Sequence, residues 1–381
     1  RFRTNRLSLI ENIKNEVADK NNIIWIHVAS LGEYEIGVPL IRLIKEKYKS
    51  KIILTFFSES GFKLKNRIKE IDYTYYLPLD TKSNAKKFLD IINPELVIFV
   101  RSEIWPNYLN EIKKRNIKSY LVESRFNQSS RYLRGVQSVF YLRKLKIFDK
   151  IFTVDEESKK ALNRVKINNV IVSGSLKIER VKDYLDDNYN NNIIKSFKGE
   201  DLCIVCGSTW KEDEKIIFKY IEESKKEKIK WIIAPHDISK KNIERLQSIL
   251  TSNYSIYSDI SNNNIHGNIL ILNTIGDLKN VYRYSDISYI GGGMGSSGLH
   301  NILEACIYNK PVIIGKNYSG FIEAEQLVES GGVASVKDYN EFKLEIEKLI
   351  YDKKYIIDKA KIISNYIKTK TGALSVIQKQ I

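Results

Sequence analysis

The sequence has few cysteines and no long apolar run. Its 381 residues include Cys203, Cys206 and Cys306, and three cysteines cannot all pair, which favours a reducing compartment such as the cytoplasm. Cys203 and Cys206 have the spacing of a redox or zinc motif, but neither a second pair nor a histidine cluster accompanies them, so no zinc site is predicted. No stretch of about 18 apolar residues exists, so no segment of this sequence is expected to cross a bilayer.

The composition is that of a folded protein with a basic surface. Hydrophobic residues make up 43% and charged residues 28% of the chain, which excludes the disordered and fibrous classes. The net charge of +16 favours anions such as phosphorylated lipid, an anionic membrane, nucleic acid or a nucleotide. A genome-wide bias towards Lys, Ile and Asn would give the same excess of positive charge without any anionic partner, and that alternative stays open here.

Apolar runs of strand length alternate with amphipathic stretches of helix length along the chain. This alternation is typical of parallel sheets built from βαβ units, and 381 residues suit two domains. We therefore predict an α/β fold of two Rossmann-like, doubly wound domains facing a central cleft. The predicted strands are 23–28, 51–56, 96–100, 118–122, 150–154 and 170–173 in the first domain, and 202–206, 230–234, 269–272, 287–290 and 311–314 in the second.

The boundary between the domains is predicted near residue 180, because the Asn-rich stretch 183–192 has no apolar periodicity. The N-terminal domain is assigned to residues 1–180 and the C-terminal domain to residues 181–381. The tail 340–367 is helical in pattern, and it or the last helix could pack back on the first domain.

Two glutamates follow predicted strands of the first domain. Glu33 lies just before a helix after the first strand, and Glu103 follows strand 96–100. Since the carboxyl ends of parallel strands meet at the ligand-binding edge of a sheet, both carboxylates are expected there. Glu33 could act as a general base, although a glutamate at a helix N-terminus can simply stabilise the helix dipole.

Small polar and basic residues follow three other predicted strands. Lys177 comes after the last strand of the first domain, where it could neutralise a phosphate or a developing negative charge. Ser208 and Thr209 come after the first strand of the second domain, as an anion cradle or an ordinary N-cap. Pro235 and His236 follow the next strand, and His236 is one of four histidines.

A glycine-rich loop, GGGMGSSG at residues 291–298, leads into an amphipathic pattern. Its amides could approach a phosphate whose charge the helix N-terminus stabilises. Glu304, one turn after His300, could accept two hydrogen bonds from ribose hydroxyls. The loop is not a dinucleotide fingerprint, which follows a domain's first strand, and it lacks the Gly-Lys-Ser/Thr ending of a P-loop, so dehydrogenase and NTPase functions are disfavoured.

Taken in chain order, the loops that follow the predicted strands resemble the sequence motifs of the 3-deoxy-D-manno-octulosonic acid (Kdo) transferase family of lipopolysaccharide biosynthesis. The segment WIHVASLGE, residues 25–33, is similar to the family's first motif, which implies that Glu33 is the catalytic base. The segment RSEIWPN, residues 101–107, is similar to the family's Glu-x-Glu-Ile-Trp-Pro-Asn, which implies that Glu103 supports the transition state. Arg101 departs from the family's first glutamate.

Two further segments of the first domain share this resemblance. GSLK, residues 174–177, matches the family's Gly-Asn-Leu-Lys, which implies that Lys177 stabilises charge. Arg125 falls within the family's Asn-Ala-Arg-x-Ser segment, which places it on the acceptor side.

In the second domain the resemblance implies a site for the donor nucleotide. Residues 234–236 correspond to the family's Ala-Pro-Arg, with His236 replacing the arginine. NTIGDL, residues 273–278, resembles Asp-Thr-Met-Gly-Glu-Leu, and residues 301–304 match Asn-x-Leu-Glu. With the loops above, the predicted donor-binding residues are Ser208, Thr209, Pro235, His236, Ile275, Gly276, Asp277, Gly292, Asn301, Ile302, Leu303 and Glu304.

The resemblance implies an inverting glycosyltransferase of the GT-B type that moves Kdo from CMP-Kdo to lipid A or its tetra-acylated precursor. It implies no metal and no other cofactor, a position at the cytoplasmic face of the bacterial inner membrane, and no nucleic-acid partner. The family usually has an N-terminal membrane anchor. Because the sequence starts at Arg1 and not at methionine, we expect the natural protein to extend upstream.

A basic segment, residues 130–148, interleaves cations with aromatic and aliphatic residues. It contains Arg131, Arg134 and Arg143, and the pattern suits an interfacial helix or a cradle for lipid phosphates. A helix with a solvated basic face would show the same pattern. A second basic stretch, residues 63–69, could flank the same entrance.

Two other functions stay open. A UDP-sugar-dependent transferase or epimerase of the same fold could use the Gly-rich loop and Glu304 for uridine. A basic module that binds nucleic acid or lipid would explain the charge, but it would not need two strand-end carboxylates.

Overall fold

The computed structural model describes residues 9–17, 21–59, 70–101, 103–127, 130, 132–135, 137–185, 189–224, 228–260 and 265–381. The chain divides into two compact units, of which unit 1 comprises Arg1–Arg180 with Lys370–Ile381 and unit 2 comprises Val181–Thr369. The sequence analysis assigned all residues after 180 to the second domain, whereas the last twelve or so, Lys370–Ile381, belong to unit 1.

Unit 1 is built on a parallel sheet of seven strands in the order β3-β2-β1-β4-β5-β6-β7. The strand order reverses between β1 and β4, as in a doubly wound fold. The strands are β1 (Ile23–Val28), β2 (Lys51–Phe56), β3 (Tyr73–Tyr76), β4 (Leu96–Val100), β5 (Lys118–Ser124), β6 (Lys150–Thr153) and β7 (Val170–Val172). The helices are Leu9–Glu16, Leu31–Tyr48, Lys82–Ile92, Pro106–Lys114, Ser138–Leu145, Glu156–Arg164, Leu176–Lys182 and Ala373–Gln378.

Unit 2 repeats this design with a seven-stranded parallel sheet in the order β10-β11-β9-β8-β12-β13-β14. Its strands are β8 (Leu202–Thr209), β9 (Ile229–Pro235), β10 (Tyr254–Ile256), β11 (Ile269–Ile271), β12 (Ile287–Ile290), β13 (Val312–Gly315) and β14 (Val333–Val336). The α-helices are Asn192–Lys198, Lys211–Glu223, Lys240–Ile249, Leu278–Val281, Leu303–Cys306, Ile322–Glu329, Tyr339–Tyr351 and Lys353–Lys370, and short 3-10 helices span Asp183–Leu185, Tyr257–Asp259 and Tyr282–Tyr284. The predicted α/β fold with two doubly wound domains is confirmed.

The core of unit 1 packs on both faces of β1, all of whose residues are buried. On one face the Trp25 ring packs against the rings of Phe88, Phe99 and Tyr108, with centroids 5.0, 5.4 and 5.5 Å away. On the other face, the helices Leu31–Tyr48 and Ala373–Gln378 cover the sheet. Truncating a tryptophan packed in this way costs about 3–5 kcal/mol.

Of the two segments that could pack back on the first domain, the last helix does so and the tail 340–367 does not. Phe342 and Ile346 of the helix Tyr339–Tyr351 belong to the core of unit 2. The next helix, Lys353–Lys370, lies in unit 2 as far as Thr369. It is the short helix Ala373–Gln378 that completes the core of unit 1, where Ala373 and Ile377 are fully buried.

Two strands carry an irregularity close to their carboxyl ends. The register of β5 against β6 shifts between Leu121 and Ser124, and that of β8 against β9 shifts between Gly207 and Thr209. At each shift one residue has a left-handed backbone, Glu123 with φ 53° and Ser208 with φ 53°. Such bulges turn a side chain away from the strand's regular alternation.

Candidate active site

Glu33 lies in the first turn of the helix Leu31–Tyr48, directly after β1. The Ser30 hydroxyl caps this helix by accepting a hydrogen bond from the Glu33 N–H at 3.4 Å, and Glu33 Oε2 accepts one from the Ala29 N–H at 2.6 Å. This reciprocal arrangement resembles a capping box and fixes the carboxylate at the carboxyl edge of the sheet. Among the described residues, no hydrogen bond occupies its second oxygen, Oε1.

Glu103 lies in the loop between β4 and the helix Pro106–Lys114. Its Oε2 accepts a hydrogen bond from Trp105 Nε1 at 2.8 Å and lies 3.5 Å from Nε2 of His27, in β1. The Glu103 side chain is 21% exposed, whereas that of His27 is fully buried. The carboxylate is therefore held on the protein side and remains accessible to a substrate.

The two glutamates belong to one electrostatic site. Burial raises the pKa of Glu33, the Ala29 N–H lowers it, the Glu103 carboxylate raises it and the Arg101 guanidinium lowers it, with a net value of about 7. Arg101 is exposed and has a left-handed backbone, with φ 67°. A carboxyl group with a pKa near neutrality can accept a proton at physiological pH and pass it on, which suits a general base.

Lys177 lies in the first turn of the helix Leu176–Lys182, and a buried carboxylate holds the loop before it. Glu123 Oε1 accepts a hydrogen bond from Ser175 Oγ at 2.7 Å, and Glu123 Oε2 accepts one from the Leu176 N–H at 2.6 Å. Burial raises the pKa of Glu123, whereas Arg125 and these two hydrogen bonds lower it. The bulge in β5 therefore points Glu123 into the loop that carries Lys177.

Glycine is required at one position of the same loop. Gly174 has φ 90°, and a Cβ atom there would lie 2.6 Å from the carbonyl oxygen of Lys370. The Ser175 N–H donates a hydrogen bond to that oxygen at 2.8 Å. The segment that leads into the last helix of the chain therefore packs directly on the Lys177 loop.

The glycine-rich loop of unit 2 is organised by Asp213, which is fully buried. The Asp213 carboxylate accepts hydrogen bonds from the Gly292 N–H at 2.8 Å, the Met294 N–H at 3.4 Å, the Trp210 N–H at 2.9 Å and Tyr289 Oη at 2.7 Å. The Gly292 N–H is therefore donated to Asp213, and the role of Gly292 in donor binding stays a prediction. The helix expected after this loop is also short, spanning Leu303–Cys306.

Ser208 and Thr209, predicted to form an anion cradle or an N-cap, lie at the carboxyl end of β8. The Thr209 hydroxyl is buried and donates a hydrogen bond to Glu214 Oε1 at 3.2 Å. Glu214 in turn pairs with Arg245. The Thr209 hydroxyl therefore stabilises the interior of unit 2, whereas Ser208 is half-buried at the bulge of β8.

His236 forms part of a stack of three rings at the carboxyl edge of the second sheet. Its ring stacks on Trp210, with centroids 4.5 Å apart and planes at 21°, and lies 4.6 Å from the ring of His300. Trp210 Nε1 donates a hydrogen bond to His300 Nε2 at 3.3 Å. Burial and the neighbouring His236 lower the pKa of His300 to about 4, so this imidazole is neutral at physiological pH.

The remaining predicted donor-binding residues follow β11 and β12 or end β9. Ile275 is 88% exposed and precedes Gly276, whose φ is 94°. Asp277 is half-buried and precedes the helix Leu278–Val281. Asn301 Nδ2 donates a hydrogen bond to Glu304 Oε1 at 3.2 Å, which orients that carboxylate. Pro235, Ile302 and Leu303 are buried.

The basic segment forms a helix, Ser138–Leu145, that exposes apolar side chains. Val139 is 56% and Phe140 is 49% exposed. Arg134 and Arg143 are exposed as well, whereas Arg125 is half-buried, 3.7 Å from Asp155. Arg131 and the stretch 63–69 lie outside the described residues.

The described residues contain neither a helix that could span a membrane nor a cluster that could hold a metal ion. None of their helices has both the length and the apolar character needed to cross a membrane. Within the same part of the chain, no three His, Cys, Asp or Glu side chains are arranged to hold a metal ion.

Two residues that organise these loops were missed in the sequence analysis. Asp213 is the third residue of the helix Lys211–Glu223, where an acidic residue commonly caps the helix N-terminus, and this position was a readable signal. Glu123 is the next-to-last residue of β5 and gave no signal, because its partners are more than 50 residues away in the sequence.

Comparison with known proteins supports the resemblance to the Kdo transferase family. Residues 3–180 match the family model of the 3-deoxy-D-manno-octulosonic-acid transferases. A protein of Rickettsia felis named 3-deoxy-D-manno-octulosonic acid transferase is 28% identical over 312 residues, covering 80% of this chain and 66% of that protein. The chain is therefore similar to the Kdo transferases, by the family model over residues 3–180 and by this relative over 80% of its length. The resemblance inferred from the sequence motifs is thus confirmed.

Other relatives of this chain differ from the Kdo transferases in length and in the activity that their names give. A bifunctional glycosyltransferase/methyltransferase of Fusobacterium nucleatum is 27% identical over 379 residues, covering 94% of this chain and 57% of that protein. The chain thus spans less than two thirds of the length of this relative and of the Rickettsia protein. A crystal structure of UDP-GlcNAc 2-epimerase from Neisseria meningitidis bound to UDP-GlcNAc has a TM-score of 0.65 at 16% identity, covering 94% of this chain and 98% of that chain, which shows a shared fold.

Proposed function

We propose that this chain transfers Kdo from CMP-Kdo to lipid A or its tetra-acylated precursor, as an inverting glycosyltransferase of lipopolysaccharide biosynthesis. The observation that carries the proposal is the pair Glu33 and Glu103. In this chain, which is similar to the Kdo transferases, the two carboxylates share one sheet edge, and the pKa of Glu33 is raised to about 7. A sugar-hydroxyl acceptor requires such a base.

In the proposed reaction, Glu33 Oε1 takes the proton from a hydroxyl of the acceptor sugar. The acceptor oxygen forms a bond to the anomeric carbon of Kdo while the bond from that carbon to the phosphate oxygen of CMP breaks. CMP leaves with the bonding electrons, and the anomeric configuration inverts. A single displacement needs no covalent enzyme intermediate.

Charge develops in two places during this displacement. The anomeric carbon becomes electron-poor, and we assign its stabilisation to the Glu103 carboxylate. The leaving phosphate gains negative charge, and we assign the stabilisation of this charge to Lys177. Fixed charges of this kind need no reorganisation during the reaction, and the proposal includes neither a metal ion nor another cofactor.

The proposed nucleotide site uses loops of unit 2. Glu304, oriented by Asn301, accepts hydrogen bonds from the ribose hydroxyls, and the exposed Ile275 with Gly276 and Asp277 contacts the nucleotide. Stacking on Trp210 fixes the His236 ring at the sheet edge. An imidazole in this position binds a phosphate with one N–H, where an arginine would use its planar fork.

The proposed acceptor is held at the cytoplasmic face of the inner membrane. The helix Ser138–Leu145 exposes Val139 and Phe140 beside Arg143, and this combination of apolar and cationic groups suits an anionic lipid surface. We propose no nucleic-acid partner. Double replacement of Val139 and Phe140 by serine should weaken binding to vesicles containing anionic lipid, whereas Leu344→Ser, at an exposed leucine of unit 2, should leave it unchanged.

A donor panel tests the proposed function. Purified protein is incubated with the tetra-acylated lipid A precursor and either CMP-Kdo, generated in place because it is labile, or a series of UDP-sugars. Mass spectrometry should show the precursor gaining Kdo with CMP-Kdo alone. Transfer from a UDP-sugar, or epimerisation of UDP-GlcNAc, without any Kdo transfer would overturn the proposal.

A further inference from the structure

His27 is a buried histidine that reaches the site from inside the sheet. It lies in β1, is fully buried, and is paired in register with Thr55 of β2. Its Nδ1 lies 2.9 Å from Thr55 Oγ1, and its Nε2 lies 3.5 Å from Glu103 Oε2. No described residue forms a hydrogen bond with Nε2, so a buried polar atom is directed at a carboxylate of the site.

The hydrogen bonds around Thr55 determine which imidazole nitrogen carries the proton. Trp25 Nε1 can only donate, and it donates to Thr55 Oγ1 at 2.8 Å. Thr55 is fully buried, so water is not available to accept its own hydroxyl proton. Among the described residues the acceptor within reach is His27 Nδ1. The ring is therefore the tautomer with its proton on Nε2.

That proton faces Glu103. Trp105 Nε1 already donates to Glu103 Oε2 at 2.8 Å, and the Trp105 ring lies edge-on to His27 with centroids 5.3 Å apart. The N–H groups of Trp105 and His27 thus both face Oε2 of Glu103. The other oxygen, Oε1, remains on the accessible side of the carboxylate. A buried N–H without a partner is destabilising, and a small approach of Glu103 would satisfy it.

We propose that His27 is a positioning residue, which orients the Glu103 side chain through its Nε2–H and is itself fixed in this tautomer by Thr55 and Trp25. The groups that face the ring are Thr55 from β2, Phe99 from β4, and Glu103 with Trp105 from the following loop. Glu103 is the single titratable group among them. The consequence for catalysis rests on the proposed function, whereas the tautomer does not.

The first test reads the tautomer by nitrogen NMR of protein labelled in histidine. The His27 signals are assigned by their loss in His27→Gln. We expect Nε2 to carry the proton in the wild type and the preference to be lost in Thr55→Val. Thr153→Val, at another buried threonine of the same sheet, should leave the His27 signals unchanged. A proton on Nδ1 in the wild type, or the same tautomer in Thr55→Val, would overturn the proposal.

The second test compares two replacements of His27 in Kdo transfer. Glutamine keeps an N–H near the position of Nε2, whereas leucine keeps only the bulk. We expect His27→Leu to lose activity by about 10–100-fold, as for other residues that orient a catalytic group, and His27→Gln to recover most of it. The acidic limb of the pH profile should also move to lower pH in His27→Leu, because a displaced Glu103 no longer raises the pKa of Glu33.

The outcomes separate the two proposals. If the wild type transfers Kdo, while leucine and glutamine variants of equal thermal stability lose activity equally and keep the acidic limb in place, His27 only packs in the core and the positioning role is overturned. If the wild type does not transfer Kdo, the proposed function fails, and the NMR result still decides the tautomer.

Discussion

Ser175 donates its hydroxyl hydrogen to the Glu123 carboxylate at 2.7 Å, although the two residues lie 52 positions apart in the chain. The Leu176 N–H donates to the other oxygen of the same carboxylate at 2.6 Å. Both donors belong to the loop that precedes Lys177, and Glu123 is buried beneath it. The bulge of β5 therefore fixes the direction in which the helix with Lys177 leaves the sheet.

Glu123→Gln should destabilise unit 1 and lower the rate of Kdo transfer. A glutamine offers one acceptor oxygen and places an NH₂ group against a donor, so a buried hydrogen bond is lost, which costs about 1–3 kcal/mol. Urea denaturation measures the stability, and steady-state kinetics measure kcat. Glu95→Gln is the matched control, because Glu95 is exposed in the same unit. Equal stability of both variants would show that Glu123 does not hold the loop.

The activity should depend on the ionisation of Glu33. The carboxylate is the form that accepts a proton, and the pKa of Glu33 is raised to about 7. As the pH falls through this value, the carboxylate is lost, so kcat/KM should decrease about tenfold for each pH unit below it. A pH profile of the wild type checks this, and a flat profile down to about pH 5 would exclude Glu33 as the base.

The neighbours of Glu33 should move this acidic limb in opposite directions. Arg101 lowers the pKa of Glu33, so Arg101→Gln should move the limb to higher pH. Glu103 raises it, so Glu103→Gln should move the limb to lower pH, in addition to reducing the maximal rate. Each limb is measured relative to the plateau of the same variant. Shifts in the same direction would contradict the electrostatic coupling.

Asp213→Asn should loosen the glycine-rich loop and raise the KM for the donor. Asparagine replaces one acceptor oxygen by a donor, whereas the four hydrogen-bond partners of Asp213 described above all donate to it. The expected loss of stability in unit 2 is about 3 kcal/mol. Hydrogen exchange at residues 291–298 should become faster, and Asp358→Asn, at an exposed aspartate, should leave it unchanged. An unchanged exchange rate would exclude Asp213 as the organiser of the loop.

The central strands could be predicted from the sequence, whereas three edge strands could not. Strands 23–28, 51–56, 96–100 and 287–290 were predicted with the bounds that the structure has, because strands covered on both faces appear as continuous apolar runs. The missed strands, Tyr73–Tyr76, Tyr254–Ile256 and Val333–Val336, all lie at sheet edges. They are short and contain Thr or Ser, so their apolar signal is weak.

The site residues that come directly after the end of a strand could be predicted from the sequence. Glu33 and Glu103 were located in this way, and the structure couples them electrostatically, whereas the roles of the predicted donor-binding residues stay predictions. The hydrogen bonds of the glycine-rich loop could not be foreseen, because Asp213 lies some 80 residues before the loop. The left-handed backbone at Glu123 likewise could not be predicted from the sequence.

The most direct test of the account is Kdo transfer from CMP-Kdo to the tetra-acylated lipid A precursor by the wild type and by Glu33→Gln. Glutamine keeps the size of the side chain and can still accept a hydrogen bond from Ala29, but it cannot take a proton. We predict transfer by the wild type and a decrease of about 100-fold or more in Glu33→Gln, as expected for removal of a general base. Equal rates for the two proteins, with both folded, would contradict the account.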